Sequence, residues 1–371
     1  MLALCRTGSS PNKELVFQFH EYSGFRSYFS CVKLTTAADW LLKVMKAKIS
    51  AISFHLPAKI ESLDALASEN PGWDIPRIFA KTGIRNRYIA ALGETASDLA
   101  FEAGSQLLHD FPDRHAINLL IFVTQSPDYV LPTSACILQD RLGLSQSCMA
   151  FDVNLGCSGF VNALSIAGGL IESGVAQKGL ILCGDTYSKY IAKTDRTCRP
   201  VFSDGAAAIL VEASTTDSLG PFEFGTDGSG FDRLIVRGGG ARDPNTEPDF
   251  RPNTLEMHGS DVFLFTMRVV PDCVGKLLDR AGLTIDQIDL FIFHQASKLV
   301  IENLTRSLSL KPEKVFENYE FIGNTVSATI PIALKDAAGQ GRLKDGNIVM
   351  LIGFGVGLSW AATLVRWSIT K

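Results

Sequence analysis

Short apolar runs alternate with amphipathic stretches along most of the chain. Five runs have the length and pattern of strands: 49–57, 117–123, 149–153, 179–184 and 206–212. Helical periodicity fills stretches between them at 97–109, 134–142 and 159–174. Because continuous apolar strands need cover on both faces of their sheet, this order predicts an α/β fold with helices on both sides.

The second half of the chain repeats the order of the first. Residues 117–124 resemble 288–295, and three further matches follow in the same order: 151–154 with 316–319, 179–184 with 347–353, and 206–212 with 361–367. Ordered self-similarity of this kind indicates an internal duplication. We therefore predict two related α/β halves, 45–218 and 219–371, packed as layers of helix and sheet.

The first 44 residues differ from the rest, because they show no clean helical or strand period. Met45 then opens a fresh segment that leads into the strand at 49–57. We expect residues 1–44 to be an appendage that precedes the true start and is dispensable. The alternative is a small structural extension of the fold.

Composition and charge narrow the function classes. The chain has 371 residues, of which 46% are apolar, which excludes a chain that is disordered throughout. The net charge of −4 argues against a nucleic-acid binder. We find neither an apolar run of about 18 residues nor a signal-peptide pattern, and therefore expect a cytoplasmic protein without a membrane span. The eight cysteines lack CxxC spacing, which favours reduced thiols over a metal site.

Cys157 is the first candidate for chemistry. The segment Asn154-Leu-Gly-Cys-Ser-Gly-Phe160 follows one predicted strand and precedes an apolar helix. At a helix N-terminus, the helix dipole and the free backbone N–H groups favour a thiolate. The glycines on either side leave room for a substrate. A small buried cysteine at a helix start is the alternative interpretation.

His294 and Asn324 are the second and third candidates. His294 lies at the end of a buried strand, which is where functional sites are commonly found in α/β sheets. The residue at the equivalent position of the first half is the apolar Val123. Asn324 lies in a Gly-Asn-Thr turn before an apolar helix, close to the repeat position of Cys157. A structural histidine and a helix cap are the alternatives. The glycine-rich turn at 353–360 is not a dinucleotide motif, but its N–H groups could hold an oxyanion.

Together these segments resemble the Cys–His–Asn triad of 3-oxoacyl-[acyl-carrier-protein] synthase III, a family of thiolase-like condensing enzymes. Supporting segments lie at 81–89, 132–136, 202–206 and 353–360. The resemblance covers residues 48–371 in order. It implies a thiolase-like fold in which the two halves form a layered α-β-α-β-α sandwich, and it implies a homodimer.

The resemblance implies a decarboxylating Claisen condensation. Cys157 would accept an acyl group from a primer thioester, while the N–H groups of Cys157 and Val356 hold the oxyanion. His294 and Asn324 would donate hydrogen bonds to the thioester oxygen of a malonyl carrier as CO2 leaves. Decarboxylation generates the nucleophile, so neither a metal nor another cofactor is implied. Coenzyme A or phosphopantetheine thioesters would be the substrates.

The resemblance also assigns residues to binding. The substrate-binding residues are Thr82, Leu131, Arg196, Phe263, Gly355 and Gly357, and the patch for acyl carrier protein comprises Lys298 and Arg306. The family often has Phe at the position of Leu131, where the ring ends the acyl pocket. Leucine there implies a longer acyl pocket, with Leu131 reaching the partner subunit's site, and the alternative is that Leu131 only packs at the dimer contact.

Three departures from the family pattern concern the primer carrier. Arg77 stands where the family commonly stacks a Trp on the adenine of coenzyme A, and Lys81 and Ser297 replace an Arg and an Asn. These changes raise the alternative that acyl carrier protein delivers both substrates, in fatty acid initiation or in a specialised pathway.

Two other functions stay open at this point. One is acyl transfer to a different acceptor without carbon–carbon bond formation. The other is an inactive subunit that supports an active partner, which the intact triad disfavours. Thiolase-type degradation is disfavoured as well, since the turn at 353–360 contains no second cysteine.

Overall fold

The computed structural model describes residues 46–109, 111, 113–216, 218–242 and 254–369, together with two short strands, β1 (Ala3–Leu4) and β2 (Phe17–Gln18). The chain divides into two compact units, Met1–Lys43 and Val44–Lys371. Within the first unit, β1 and β2 pair antiparallel. The hypothesis that residues 1–44 are a dispensable appendage lies outside the described residues.

The first half of the larger unit contains these helices and strands: β3 (Lys46–His55), β4 (Lys59–Ser62), α1 (Leu63–Glu69), α2 (Ile75–Thr82), β5 (Asn86–Ile89), α3 (Ala96–His109), β6 (Leu119–Val123), α4 (Ser134–Arg141), β7 (Met149–Val153), α5 (Gly159–Glu172), β8 (Lys178–Asp185) and β9 (Gly205–Ser214). The strands and helices predicted from the apolar pattern are all present, with ends that differ by up to three residues. The β4–β5 hairpin and its two helices had no clear sequence signal.

The second half contains β10 (Leu219–Thr226), β11 (Leu234–Val236), β12 (Leu255–Met257), α6 (Gly259–Ala281), β13 (Leu290–Phe293), α7 (Lys298–Ser307), α8 (Tyr319–Ile322), α9 (Thr329–Gly339), β14 (Ile348–Gly355) and β15 (Ser359–Arg366). The 23-residue helix α6 is the longest in the described part of the chain and ends at Gly282, which adopts a left-handed conformation.

Two mixed sheets form the framework. The first has the strand order β3-β9-β8-β6-β7, and the second has the order β10-β15-β14-β13. Helices α5 and α9 contact strands of both sheets and therefore lie between them. Helices α3 and α4 cover the other face of the first sheet, and α6, with α7 packed against it, covers the other face of the second. This arrangement confirms the predicted α-β-α-β-α sandwich.

Strand register confirms the internal repeat. In the first sheet, Leu120 on β6 lies opposite Ala150 on β7 in a parallel pair. In the second sheet, Phe291 on β13 forms a parallel bridge with Val315. Leu120 corresponds to Phe291 in the first sequence match, and Ala150 and Val315 correspond just before the second. The halves therefore share strand order and direction as well as apolar pattern.

Register also corrects the third match by two residues. Gly179 pairs with Leu119 in the first sheet, and Val349 pairs with Leu290 in the second. The counterpart of 179 is therefore 349, whereas the sequence match begins at 347. Apolar content alone cannot fix register in a strand that is buried on both faces, because every position is apolar.

Helices in the described part of the chain are too short or too polar to cross a membrane. The same residues contain no cluster of His, Cys, Asp and Glu side chains suited to a metal ion.

Candidate active site

Cys157 lies in the turn between β7 and α5, where the chain passes between the two sheets. Ser158 is the N-cap of α5, and the cysteine side chain is buried. Strand β14 approaches so closely that a Cβ on Gly353 would lie 2.6 Å from the Cys157 carbonyl oxygen. A Cβ on Gly355 would lie 2.7 Å from Cys157 Sγ. Glycine at these two positions allows the second half of the chain to pack against the nucleophile of the first.

The protonation state of Cys157 differs from the expectation. The pKa of the thiol is raised to about 12, mainly by burial and also by the neighbouring Asp185 carboxyl. Hydrogen bonds from the backbone N–H groups of Val356 and Cys157 lower the pKa but do not compensate. The expectation that the helix N-terminus favours a thiolate is therefore wrong, since loss of hydration outweighs the helix terminus. Near neutral pH, Cys157 is a thiol.

His294 follows β13, and its backbone N–H donates to the carbonyl oxygen of Ile352 at 2.8 Å. The imidazole Nδ1 lies 2.7 Å from Thr329 Oγ1. Burial lowers the pKa of His294 to about 3, so the ring is neutral near neutral pH. Thr329 Oγ1 also lies 3.1 Å from the carbonyl oxygen of Val326, which can only accept, so the direction of the contact with Nδ1 follows the tautomer of the imidazole.

Asn324 lies beside His294, with 3.4 Å between Asn324 Nδ2 and His294 Nε2. Asn324 Oδ1 accepts a hydrogen bond from the Val326 N–H at 2.9 Å, which sets the orientation of the amide. Val326 has a φ of 56°, an uncommon conformation for a β-branched residue and one that clusters at functional sites. The pair therefore places His294 Nε2 and Asn324 Nδ2 side by side.

One cavity of about 830 Å³ joins these groups. Cys157, His294 and Asn324 all line it, as do the predicted substrate residues Thr82, Phe263 and Gly355. Much of the remaining wall is apolar: Val201, Phe202, Leu234, Met257, Val262 and Phe354. A cavity with an apolar wall and a few convergent polar groups suits an acyl thioester.

A second pocket, of about 420 Å³, adjoins the cavity and shares Thr82 with it. It contains the predicted substrate residue Arg196 together with Arg77 and Lys81, two of the positions that depart from the family pattern. Trp73 lines the same pocket, and sequence reasoning missed it. The sequence contained a signal for Trp73, because an aromatic residue four positions before Arg77 can reach the space that Arg77 borders.

The structure does not bring the other predicted binding residues to the cavity of a single chain. Leu131 is 80% exposed on the surface. Lys298 begins α7 and is paired with Glu302 at 3.8 Å. Arg306, near the end of α7, borders a separate surface pocket, and Gly357 lies one residue beyond the Val356 N–H. Their binding roles remain predictions.

Asp185 is a buried carboxyl near Cys157 that sequence reasoning also missed. It ends β8 and accepts hydrogen bonds from the Gln125 N–H at 2.8 Å and from the Ser327 hydroxyl at 2.5 Å. Burial raises its pKa to about 7. Asp185 thus links the first half to the short segment after Asn324. Its place at a strand end was the available signal.

Two family models match the chain: "3-Oxoacyl-[acyl-carrier-protein (ACP)] synthase III" over residues 151–228 and "3-Oxoacyl-[acyl-carrier-protein (ACP)] synthase III C terminal" over residues 278–367. A beta-ketoacyl-[acyl-carrier-protein] synthase III from Caldanaerobacter subterraneus is 36% identical over 330 residues, which covers 87% of this chain and 98% of the relative. The chain belongs to the 3-oxoacyl-[acyl-carrier-protein] synthase III family. The predicted resemblance is confirmed.

Solved structures agree with this assignment. A 3-oxoacyl-(acyl-carrier-protein) synthase III crystal structure has a TM-score of 0.84 and 43% identity, covering 87% of this chain and all of the other. A priming beta-ketosynthase from a polyketide biosynthetic pathway has a TM-score of 0.83 and 28% identity, covering 89% of this chain and 98% of the other. The chain therefore covers nearly the full length of these related structures.

Proposed function

We propose that this synthase III condenses an acyl primer with malonyl-[acyl-carrier-protein], releasing CO2 and giving a 3-oxoacyl-[acyl-carrier-protein]. The observation that carries the proposal is the shared cavity, which is lined by Cys157, His294 and Asn324 together. Acyl transfer alone needs a nucleophile and an oxyanion site. A second pair of donors is suited to an enolate, which acyl transfer does not form.

The first half-reaction is acylation of Cys157. The sulfur attacks the carbonyl carbon of the primer thioester, and the tetrahedral oxyanion is held by the N–H groups of Cys157 and Val356. The bond from the carbonyl carbon to the carrier sulfur then breaks. The carrier leaves as a thiol, taking up the proton that Cys157 loses.

The second half-reaction is condensation. The carbon–carbon bond to the malonyl carboxylate breaks, and its electron pair forms an enolate whose oxygen accepts hydrogen bonds from His294 Nε2 and Asn324 Nδ2. The enolate carbon attacks the acyl group on Cys157, and the Cys157 sulfur leaves and recovers a proton. Neutral His294 suits this role, because it donates a hydrogen bond without titrating near neutral pH. We propose that the reaction needs neither a metal nor a further cofactor.

We propose that acyl carrier protein docks at the cavity mouth. Lys298 begins α7 beside the cavity residues Ser297 and Leu299, and Arg306 lies further along the same helix. These basic residues suit an acidic carrier surface. Arg77, Lys81 and Arg196 surround the adjoining pocket, where they would face the phosphate of a pantetheine arm. Either coenzyme A or the carrier protein could present such a phosphate with the primer.

We also propose that the chain forms a homodimer. Strand β7 is an edge of the first sheet in the described part of the chain, and edge strands are places where another chain can pair. Near it, Tyr129, Val130 and Leu131 form an exposed apolar run, of which Val130 is 87% exposed. Burying this run against a second copy would remove it from water and bring Leu131 toward the partner's cavity.

Loading of Cys157 and release of CO2 test the proposed function together. Acyl-CoA and acyl-carrier primers are offered in turn, and intact mass reports the acyl group on the protein. Cys157→Ala is expected to remove loading while the fold is retained, and Cys136→Ala, at an exposed cysteine, to load normally. Loading on Cys157→Ala would refute the nucleophile. Loading of wild type without CO2 release from malonyl carrier protein would favour simple acyl transfer.

A further inference from the structure

The Val356 N–H must point at Cys157 Sγ, yet its own turn does little to hold it there. Gly355 and Gly357 flank Val356, with φ angles of 157° and 134°. Glycine adopts such conformations readily and imposes little restriction on its neighbours. Strand pairing of Gly355 with Ser359 closes the turn, and two backbone hydrogen bonds with Asp227 hold Leu358, so contacts at Val356 itself set the position of its N–H.

Ser158, the residue after Cys157, makes an unusual contact for its position. A serine at a helix N-cap ordinarily accepts a hydrogen bond from a backbone N–H in the first turn. Ser158 makes no such bond. Instead, its Oγ lies 2.8 Å from Ser359 Oγ on β15, and both side chains are buried. The first half of the chain is thus bonded to the second immediately beside the nucleophile.

The direction of these hydrogen bonds follows from the number of protons. Ser359 Oγ donates its one proton to the Val356 carbonyl oxygen at 2.7 Å. In the contact between the serines, Ser158 is therefore the donor and Ser359 the acceptor. The bonds form a closed loop that runs from Cys157 through Ser158 and Ser359 to Val356, and back through the Val356 N–H to Cys157 Sγ.

We propose that Ser158 and Ser359 are positioning residues that hold the Val356 N–H against the Cys157 sulfur. The inference rests on the proposed function in one respect, namely that this N–H is an oxyanion donor during acylation. Losing either hydroxyl weakens the side-chain contacts that hold the Val356 peptide, because the flanking glycines do not restrict that peptide by themselves. The donor then moves away from the position where the oxyanion forms, while the cavity and the primer binding surface stay the same.

We call the Ser158–Ser359 pair, with its hydrogen bond to Val356, the clamp. Single-turnover acyl loading of Cys157 tests whether the clamp positions the Val356 N–H. Ser359→Ala and Ser158→Ala are expected to slow loading by about 10- to 100-fold at saturating primer, since small displacements of catalytic groups cost this much. The primer KM should change less than twofold. Ser359→Thr retains the hydroxyl and should recover most of the rate. Ser173→Ala, at the exposed C-terminal end of the same helix, is the matched control and should load as wild type does.

Alkylation of Cys157 by iodoacetamide across pH 6–10 gives an independent readout that needs no primer. Without the clamp, the sulfur loses a hydrogen bond that favours the thiolate, so the alkylation profile should shift to higher pH. Loading of Ser359→Ala within twofold of wild type would overturn the proposal. So would a Ser359→Thr variant as slow as Ser359→Ala, or an unchanged alkylation profile. If wild type loads no primer but the alkylation profile still shifts in Ser359→Ala, that result would support the clamp and refute the proposed condensation.

Discussion

At the scale of single residues, the site depends on how near the two halves approach one another. Cys157 comes from the first half, and the Val356 N–H comes from the second. The space around the sulfur is set by glycine, since a Cβ at Gly355 would lie 2.7 Å from Sγ, closer than van der Waals contact allows. Any larger residue there competes with the acyl group for the same volume.

Gly355→Ala should therefore block acylation. The new methyl group would lie 2.7 Å from Cys157 Sγ, in a backbone conformation that strains residues other than glycine. We expect acyl loading to fall by about 100-fold or more. Gly275→Ala, in α6 with no atom near its Cβ position, is the control and should load normally. Equal loading in the two variants would show that the close approach is unimportant.

At the scale of secondary-structure elements, a buried ion pair fastens the β4–β5 hairpin to the segment that carries Phe202. Arg87 on β5 pairs with Glu61 on β4, and Arg199 also contacts Glu61 at 3.1 Å. Arg87 further donates to the Phe202 carbonyl oxygen at 3.4 Å, and Phe202 bridges to Asn324. The hairpin thereby helps to hold the backbone segment that pairs with Asn324.

Arg87→Gln should destabilise the protein strongly. It leaves the Glu61 carboxylate buried with less compensation, which typically costs about 3–5 kcal/mol of unfolding free energy. Arg85→Gln is the matched control, because Arg85 lies just before the same strand but pairs with Glu320 at the surface, with its side chain 57% exposed. That change should cost less than about 1 kcal/mol. Urea denaturation measures both, and similar losses would contradict the argument.

At the scale of the whole molecule, the two sheets share a central layer and meet in the active site. Asp185 shows how the halves are connected there, since it ends β8 of the first half and binds the N–H and hydroxyl of Ser327 in the second. Cys157, Cys183 and Tyr187 lie close to it. A carboxyl in this environment couples the stability of the assembled halves to pH.

The sign of that coupling follows from the raised pKa of Asp185, which is about 7 in the folded chain against 3.8 for an unperturbed aspartate. Between pH 4 and 7 the folded state binds more protons at this residue, so its contribution to the unfolding free energy falls as pH rises. The unfolding free energy of wild type minus that of Asp185→Asn should decrease by about 3 kcal/mol as pH rises over that range. The same subtraction cancels the contribution of His294, whose lowered pKa makes the unfolding free energy rise with pH. A difference that is constant with pH would contradict the prediction.

The exposed apolar run at 129–131 predicts the state of association. Light scattering at micromolar concentration should give a mass near twice 40.2 kDa. Val130→Asp should lower that mass, because it places a charge in the buried contact. If Leu131 also reaches the partner's cavity, Leu131→Phe should shift primer preference toward shorter chains. A mass near 40.2 kDa for wild type would contradict both predictions.

The amino-acid sequence by itself determined the class of fold and the internal repeat, and it singled out Cys157, His294 and Asn324, which line one cavity of the structure. It could do so because apolar periodicity is a local property. The three site residues also differ chemically from the repeated background in which they lie. Strand register could not be predicted as well, because strands β8 and β14 are apolar throughout and can be aligned with each other equally well when shifted by one or two residues.

Only the tertiary structure decided what surrounds the sulfur. The pKa of Cys157 depends on burial by both halves, so the thiolate expected from a helix terminus did not hold. The contacts of Ser158 with Ser359 and of Asp185 with Ser327 join residues far apart in the chain. No periodicity or motif encodes such pairs. They arise where two repeated halves pack face to face, and that packing is a property of the folded molecule.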